Sequence, residues 1–551
     1  MKKSFVRKAC ALLACASFLG AMPCAAQTES NPSAVGVPDL SAYILTPKPA
    51  ATPRINGAKV FGLRPGSKCL YTVAATGDRP MTFAVEGLPK GLKLDPATGR
   101  ITGSVKKAGT YKVMVTATNA KGSYSRELRI VVGDRIALTP PMGWNSWNCW
   151  GRDVTQEQVL SSARAMVSSG LVDHGWTYIN IDDGWQGCRG GKYNAIQSNT
   201  KFPDMKALTR EVHDLGLKLG IYSAPWVGTY AAHIGSYSDN PDGVNQWIKD
   251  GLINENYRYT KSEGKYMEYR KEVRLLGKYS FVKNDVKQWE EWEVDYLKYD
   301  WKPQSIYHTK EMHDALRSLD RDIVFSLSNN APIADAFTWM EYSDCWRTTG
   351  DIRDNWKSIS KIGFSQEKWA PFCRPGAWPD ADMLVVGLVG WGPKLHYTKL
   401  TADEQYTHIS LWALLSSPLL IGCDMARLDD FTKSLLTNDE VIEVNQDPLG
   451  SHCVPVWRKG DKQIVYVKHL EDGSLAVGMF NRSEETVKIS IDSRMLGLYG
   501  EKKVRDLWRQ KDVGTIDHDR KFTAEVAPHG VVLVKVYPGN TTEAQVGEVK
   551  Y

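Results

Sequence analysis

Two stretches of the chain alternate apolar and polar residues in short runs. The first spans residues 59–134, where 111–118 alternates strictly and turn residues at 96–99 separate neighbouring runs. The second spans residues 448–540 and contains runs of the same kind, such as 486–491. Because successive side chains of a strand point to opposite faces, this pattern with frequent turns predicts a small antiparallel β-sandwich in each stretch.

Between them, residues 135–447 alternate short apolar runs with amphipathic segments. The predicted strands lie at 141–147, 178–183, 218–223, 294–300, 323–328, 345–351, 382–386 and 419–423. The clearest predicted helices lie at 155–169, 205–215, 310–319 and 402–415. Eight strand–helix repeats are typical of a parallel sheet closed on itself, so we predict an α/β fold built on a (β/α)8 TIM barrel. The insertion 225–293 is predicted to be an elaborated loop at the barrel mouth.

The first 26 residues have the pattern of a secretory signal peptide. A basic start precedes an apolar run at 9–22 and the small residues 24–26. The run is shorter than the ~20 apolar residues that span a bilayer, so we expect a removed leader and no membrane span. This predicts an exported protein, either periplasmic or at the cell surface or secreted. Residues 27–58 are predicted to be a linker and residues 541–551 a tail.

The composition narrows the choice of partner. Hydrophobic residues make up 42% and charged residues 24% of the chain, as in ordinary globular proteins. The formal net charge of +6 falls to +2 without the four basic residues of the leader. This balance gives no electrostatic case for nucleic acid or an anionic membrane. The 19 Trp and 24 Tyr fit a neutral partner such as a sugar, whose apolar faces stack on aromatic rings.

The cysteine pattern argues against a metal centre. Seven cysteines follow the leader, and none has the CxxC or Cys/His spacing of a metal site. We therefore expect no metal and no cofactor. An odd number leaves at least one thiol unpaired in a monomer, and although export permits disulfides, the spacing assigns no pairs.

Acidic residues stand where the predicted barrel strands end. Asp182 and Asp183 end the second strand, Asp300 the fourth and Asp351 the sixth. The carboxyl ends of barrel strands form the active-site rim, so we expect these carboxylates to converge there. Two carboxylates on opposite sides of a pocket without a metal suit glycoside hydrolysis, in which one attacks or orients water and the other protonates the leaving oxygen.

Two basic residues share strand faces with these acids. Lys298 lies two positions before Asp300, so both side chains point to the same face, and its charge favours an ionised Asp300. Arg347 lies four positions before Asp351 and is on the same face by the same count. A nucleophilic role for Asp300 fits this arrangement.

Six motifs in order carry a resemblance to a known family. They are LTPPMGWNSW (138–147), INIDDGW (179–185), GLKLGIY (216–222), YLKYD (296–300), WRTTGDI (346–352) and WPDADML (378–384). Over residues 138–538 the chain resembles glycoside hydrolase family 27, the α-galactosidases or melibiases. The resemblance implies a (β/α)8 barrel with a C-terminal antiparallel β-domain, no metal, and cleavage with retention through a covalent glycosyl-enzyme. Residues 87–103 resemble the immunoglobulin-like modules of secreted bacterial enzymes, which implies an immunoglobulin-like N-terminal sandwich.

The resemblance assigns roles to individual residues. It places the nucleophile on Asp300 and the acid/base on Asp351, the same two strand-end acids. Asp182 and Asp183 match the pair that holds the hydroxyls around C4 and C6. The other matched substrate contacts are Trp147, Lys298, Arg347, Asp382 and Met383, with Trp147 as the aromatic wall under the sugar ring.

Two departures concern specificity. Where many relatives end the fifth strand with a Glu that contacts the sugar near C2, this chain has Asn329, which keeps hydrogen bonding without the charge. A cysteine that often follows the nucleophile strand is missing at 301–303, so the family's disulfide at this edge cannot form.

These observations leave several functions open. The main expectation is an exported exo-glycosidase that removes terminal α-linked galactose from oligo- or polysaccharides. A β-L-arabinopyranosidase is the alternative within the family, since that sugar is galactose without C6, and retention of Asp182 favours galactose. An α-N-acetylgalactosaminidase stays open because the C2 side departs. A glycan-binding protein without catalysis is a remote alternative.

Overall fold

The computed structural model describes residues 36–246 and 274–538 of the chain. Eight parallel strands form its central sheet. They are β1 (Met142–Asn145), β2 (Tyr178–Asn180), β3 (Lys218–Ser223), β4 (Tyr296–Asp300), β5 (Val324–Ser328), β6 (Cys345–Arg347), β7 (Trp378–Asp380) and β8 (Leu419–Ile421). They pair in the order β7-β6-β5-β4-β3-β2-β1-β8.

The two edges of this sheet meet just after β7. The Leu384 amide donates to the Leu420 carbonyl at 2.8 Å, and the Gly422 amide donates to the Leu384 carbonyl at 3.0 Å. This bridge closes the sheet, so the predicted (β/α)8 barrel is confirmed.

The seventh strand differs from its predicted position at 382–386. The strand is Trp378–Asp380, and Asp382 then turns the backbone with a φ of 83° before the bridge at Leu384. A left-handed residue interrupts strand pairing, so the strand that the sequence pattern shows as one apolar run is split in two.

Helices cover the outside of the barrel. Among the described residues, the α-helices are Trp147–Trp150, Gln156–Ser168, Met205–Asp214, Val282–Glu291, Ile306–Arg317, Ala336–Tyr342, Trp356–Gly363, Ala402–Leu414, Asp430–Leu436 and Asp439–Asn445. The helix Gln156–Ser168 begins with a capping box, in which the Gln158 amide donates to Thr155 Oγ1 and the Thr155 amide to Gln158 Oε1. The start of this helix is therefore set by its own sequence.

The insertion 225–293 contains more regular structure than predicted. Residues 247–273 lie outside the described residues. Before and after them, Tyr237–Ser238 pairs with Tyr279–Ser280, and the helix Val282–Glu291 buries Val282, Val286 and Trp289. The spacing of these three residues is helical, so the prediction of a loop was wrong for this part.

The N-terminal sandwich has two main sheets. One contains Val60–Leu63, Gly122–Val132, Gly109–Asn119 and Thr82–Glu86, and the other contains Cys69–Thr72, Arg100–Gly103 and Leu92–Asp95. Their inner faces form a separate apolar core that includes Phe83, Val113 and Ile130. This sandwich lies against the barrel.

The described part of the predicted linker, residues 36–58, packs against folded structure. The Leu45 amide donates to the Tyr406 hydroxyl at 3.1 Å and Thr46 Oγ1 donates to the Ser434 carbonyl at 2.8 Å. Arg54–Ile55 pairs with Ala75–Thr76. These partners are distant in sequence, so composition alone suggested a looser segment than the structure has.

The C-terminal sandwich pairs a six-stranded sheet with a two-stranded one. The larger sheet contains Val454–Lys459, Gln463–His469, Leu475–Asn481, Val531–Val536, Lys502–Asp506 and Lys511–Ile516, and the smaller contains Val487–Ile491 and Phe522–Val526. Trp508 Nε1 donates to Ser410 Oγ on the helix Ala402–Leu414 at 2.8 Å, so this sandwich is fastened to the barrel.

Several sequence-based expectations concern features of the whole chain. The leader at 1–26 and the tail at 541–551 lie outside the described residues. Among the described residues, no helix is long and apolar enough to cross a membrane, and no group of His, Cys, Asp and Glu is arranged to hold a metal ion. No disulfide joins the seven cysteines after the leader, all of which lie among the described residues.

Candidate active site

The ten residues that the sequence analysis singled out line one pocket at the carboxyl ends of the barrel strands. They are Trp147, Asp182, Asp183, Lys298, Asp300, Asn329, Arg347, Asp351, Asp382 and Met383. The cavity has a volume of about 70 Å³ and opens to solvent at its mouth. The structure therefore brings all of them together, while their individual roles stay predictions.

Asp300 is a buried carboxylate at the end of β4. The Tyr222 hydroxyl donates to its Oδ2 at 3.0 Å, while its Oδ1 has no hydrogen-bond partner among the described residues. Burial raises the pKa of Asp300 to about 6, against the opposing charge of Lys298. One oxygen of this carboxylate is thus held by Tyr222, and the other is buried without a hydrogen-bond partner among the described residues.

Lys298 stands between two of the acids. Its Nζ donates to Asp182 Oδ2 at 2.7 Å, and Asn145 Nδ2 donates to the same oxygen at 2.8 Å. Although burial opposes the charge, Asp182 and Asp300 raise the pKa of Lys298, so it stays cationic. The predicted alignment of Lys298 with Asp300 on one strand face agrees with this electrostatic contact.

Asp183 holds the loop that follows β3. Thr229 Oγ1 donates to its Oδ1 at 2.7 Å and the Ala231 amide donates to its Oδ2 at 2.6 Å. Burial raises the pKa of Asp183 to about 7. The same carboxylate that was predicted to hold a sugar hydroxyl therefore also fixes the loop that carries Tyr230.

Asp351 lies at the rim, and Arg347 lies behind it. Arg347 contacts Asp382 at 2.6 Å and Asp351 at 3.4 Å. The Asp351 side chain is 55% exposed, whereas that of Asp382 is buried. Partial burial tends to raise the pKa of Asp351, but Arg347 and Lys298 together hold it below its ordinary value.

The sequence analysis missed three aromatic residues of this pocket. Tyr222, Tyr230 and Trp391 also line it. Tyr222 lies on β3 and follows the period-two pattern, so the matched motif at 216–222 could have revealed it. Tyr230 accepts a hydrogen bond from Asn329 Nδ2 at 2.9 Å, and Trp391 lies in the loop after β7. Both stand in irregular segments, where spacing carries no signal.

A larger cavity lies at the opposite end of the barrel. It separates the N-terminal sandwich from the amino-terminal ends of β2 and β3, and Phe61, Tyr71, Tyr178 and Lys218 are among its lining residues. Catalytic groups of such barrels come from the carboxyl ends of the strands, so size does not make this cavity the active site.

Three protein families match consecutive parts of the chain. The alpha galactosidase A family matches residues 139–274 and 265–447, the alpha galactosidase C-terminal beta sandwich domain matches residues 460–536, and an Ig domain family matches residues 52–133. The order of these matches is the order of the barrel and the two sandwiches.

Curated relatives cover most of the chain. The alpha-galactosidase of Cyamopsis tetragonoloba is 35% identical over 76% of this chain and 92% of its own length. Alpha-galactosidase 2 of Arabidopsis thaliana is 34% identical over 76% and 94%. The bacterial alpha-galactosidase A of Cellvibrio japonicus is 32% identical over 74% and 93%.

Solved structures share the same architecture. A Bacteroides fragilis protein described as a "putative alpha-galactosidase/melibiase" superposes with a TM-score of 0.76 at 33% identity, covering 90% of this chain and 99% of its own. A family 27 β-L-arabinopyranosidase from Geobacillus stearothermophilus has a TM-score of 0.59 at 28% identity, covering 74% and 98%. The matched families, the relatives and the pocket agree: the chain belongs to the melibiase family, glycoside hydrolase family 27, and is an α-galactosidase.

Proposed function

We propose that this enzyme removes terminal α-linked galactose from oligo- or polysaccharides with retention of configuration, with Asp300 as nucleophile and Asp351 as acid/base. The observation that carries the proposal is the environment of Asp300. It is buried at the floor of the pocket, held by Tyr222 through one oxygen and without a hydrogen-bond partner on the other among the described residues. Such a carboxylate is positioned to attack a carbon rather than to serve as a structural acceptor.

In the first step, the Asp300 carboxylate attacks the anomeric carbon as the bond to the leaving oxygen breaks. Protonated Asp351 gives its proton to that oxygen, so the leaving group departs as a neutral alcohol. The exposure of Asp351 at the rim fits this role, because the leaving group must exit toward solvent.

In the second step, ionised Asp351 takes a proton from a water molecule, whose oxygen attacks the same carbon. The bond to Asp300 breaks, and galactose leaves with its original configuration after two inversions. Both steps use the same face of the pocket mouth, which is where Asp351 lies.

The two carboxyls need opposite ionisation states when substrate is bound. In the open pocket Asp351 has the lowered pKa and Asp300 the raised one. A bound galactoside excludes water from Asp351, which raises its pKa, and the positive charge that develops at the anomeric carbon favours the Asp300 carboxylate. Substrate binding thus drives the pair toward the state that reacts.

The remaining polar residues suit a galactose ring. Asp182 with Lys298 and Asp382 with Arg347 form two buried ion pairs at the pocket. Ion pairs of this kind offer both acceptors and donors to adjacent hydroxyls without further reorganisation. Retention of Asp182, the match for the C6 hydroxyl contact, favours galactose over L-arabinopyranose. The likeness to the Geobacillus enzyme makes arabinopyranoside the competing substrate to test.

We also propose that the protein is exported. The basic start, short apolar run and small residues of 1–26 support a removed leader. Fractionation of cells that express the full chain, with mass analysis of the mature N-terminus, tests this: recovery of uncleaved protein in the cytoplasm would contradict it.

Three measurements test the reaction. Proton NMR of the first product should show α-galactose, and β-galactose as the first product would overturn retention. A 2-fluoro galactosyl fluoride should label Asp300, identified by peptide mass. Nitrophenyl α-galactoside should be turned over faster than β-L-arabinopyranoside and α-N-acetylgalactosaminide. An Asp300→Asn protein that binds galactose without cleaving it separates catalysis from the binding-only alternative.

A further inference from the structure

Two side chains at the pocket mouth have no part in the reaction as derived above. Trp391 lines the pocket from the loop between Leu388–Val389 and His396–Tyr397. Arg353 lies two residues after Asp351, and its guanidinium carbon is 5.1 Å from the centre of the Trp391 ring. The pair therefore lies on the side of the mouth where Asp351 stands.

The backbone of Trp391 is held in an unfavourable conformation. Its φ is 53°, in the left-handed region that bulky residues rarely adopt. The amides of Gly390 and Trp391 both donate to the Asn148 carbonyl, at 2.9 and 3.0 Å, and the Gly392 amide donates to the Cys149 carbonyl at 3.0 Å. These bonds tie the loop to the helix Trp147–Trp150.

Gly151 makes this close approach possible. A Cβ at Gly151 would lie 2.7 Å from the Trp391 carbonyl oxygen, so a larger residue there would push the loop away. Trp391 is only partly buried, and it packs against the edge of the barrel core. Strain held by several bonds at a partly exposed aromatic beside an active site points to a functional position for the indole.

The Arg353 guanidinium has N–H donors that are available to a ligand. Among the described residues, 36–246 and 274–538, its side chain makes no hydrogen bond or ion pair; it contacts the Trp391 ring, and its charge acts on Asp351. Its backbone amide donates to Ser358 Oγ at 2.9 Å, which fixes the start of the side chain. A flat apolar ring beside unused N–H donors can stack on a pyranose and bind its hydroxyls.

We propose that Trp391 and Arg353 form a binding subsite for the leaving group, and that this subsite selects a sugar. The inference rests on the proposed role of Asp351: the leaving oxygen is protonated by Asp351, so the ring attached to that oxygen lies next to the Trp391–Arg353 pair. The enzyme is then built for galactose linked to another sugar rather than for galactose on a small or featureless group.

The same subsite receives an acceptor in the reverse direction. When a sugar instead of water enters, its hydroxyl oxygen bonds to the anomeric carbon, the bond to Asp300 breaks, and the hydroxyl proton passes to Asp351. The ratio of sugar transfer to hydrolysis therefore reports on the subsite after the glycosyl-enzyme has formed.

The test compares two donors and one acceptor. α-Galactosyl fluoride has no ring in its leaving group, whereas α-galactosyl-(1→6)-glucose has one. For Trp391→Gly, which suits the φ of 53°, and Trp391→Ala, we expect kcat/KM for the disaccharide to fall about 10-fold more than for the fluoride. With the fluoride as donor and methyl glucoside as acceptor, the ratio of transfer to hydrolysis should fall by a similar factor.

Three further variants sharpen the comparison. Trp391→Phe keeps a stacking ring. The disaccharide-to-fluoride ratio of kcat/KM and the ratio of transfer to hydrolysis should therefore both stay close to those of wild type. Arg353→Met keeps the stem but removes the donors and should lower both ratios. Tyr499→Ala, which removes a 91% exposed aromatic of the C-terminal sandwich, should change neither. Thermal unfolding of each variant identifies any that fail to fold.

Failure of this inference differs from failure of the proposed function. Ratios within two-fold of wild type in both Trp391→Gly and Trp391→Ala, with hydrolysis retaining, would overturn the subsite alone. An inverted first product from wild type would overturn the retaining reaction, and the disaccharide-to-fluoride comparison would then decide the subsite without the transfer assay.

Discussion

Strand β4 has a buried aspartate at each end, and the two are treated in opposite ways. Asp295, just before the strand, accepts from His213 Nε2 at 2.7 Å and from the Leu219 amide at 2.9 Å, and it is paired with Arg321. Despite burial, Arg321 and His213 hold the pKa of Asp295 below its ordinary value. Asp300, at the other end, has a pKa raised to about 6.

The same contrast holds for the two faces of the barrel. At the amino-terminal face several acids pair closely with a cation, as in Asp322 with Arg64 at 2.6 Å and Asp173 with Arg79 at 2.5 Å. At the carboxyl face Lys298 and Arg347 together act on five aspartates, which are Asp182, Asp300, Asp351, Asp380 and Asp382. Balanced charges stabilise the fold, whereas unbalanced ones are kept for chemistry at some cost in stability.

The largest effect on activity is expected from a change at Asp300, the last residue of β4. Asp300→Asn should lower kcat by about 10⁴-fold or more, because the nucleophile is lost. Ionising a group whose pKa is raised in the folded state opposes folding, so stability at pH 7 should rise by about 1–3 kcal/mol. Turnover and denaturant unfolding measure both. A destabilised Asp300→Asn would break the comparison.

A change at Asp295, before the amino end of β4, should instead lower stability and leave kcat nearly unchanged. Asp295→Asn leaves Arg321 and His213 without their buried anion, so we expect a loss of about 3–5 kcal/mol in the free energy of unfolding. Because the folded pKa of Asp295 is lowered, its contribution is present at neutral pH and is lost on acidification, so wild type and variant should converge at low pH. The kcat of the folded variant should stay within two-fold, and a large drop would contradict the separation of the two faces.

A smaller effect is expected from a change at Tyr222, whose hydroxyl donates a hydrogen bond to Asp300. Tyr222→Phe keeps the ring and removes the donor to Oδ2, which raises the pKa of Asp300 further. Since Asp300 must be ionised to attack, the acid limb of kcat, which reports the enzyme–substrate complex, should move upward by about one pH unit. Rates near the optimum should change less than rates at pH 5. An unmoved acid limb would assign it to another group.

The smallest effect concerns the edge of the pocket. Asn329 has a φ of 84°, so Asn329→Gly removes the bond to Tyr230 without backbone strain. Losing one neutral hydrogen bond should raise KM about 2- to 10-fold with kcat nearly unchanged. Steady-state kinetics on the nitrophenyl panel would detect this, and a change in the preferred sugar would show that the pair also selects the substituent at C2.

Most of the site residues that the sequence could predict lie at or just after strand ends. Asp300 ends β4, and a barrel brings strand ends to one rim, so the local pattern sufficed for it. The prediction that Asp351 ends the sixth strand was wrong, because β6 ends at Arg347 and Asp351 lies in the loop that follows. Trp391, Tyr230 and Arg353 come from long irregular segments, and only packing decides that they meet at the mouth. The split of the seventh strand depended on the φ of Asp382, which an apolar run does not reveal.

The N-terminal sandwich and the pocket occupy opposite ends of the barrel. The Arg64 side chain donates to three barrel carbonyls, those of Arg317, Leu319 and Arg321. These bonds fasten the sandwich to the barrel. An enzyme immobilised on a bead through the sandwich would therefore present its mouth away from the support, open to branched polymers too large to diffuse beneath it.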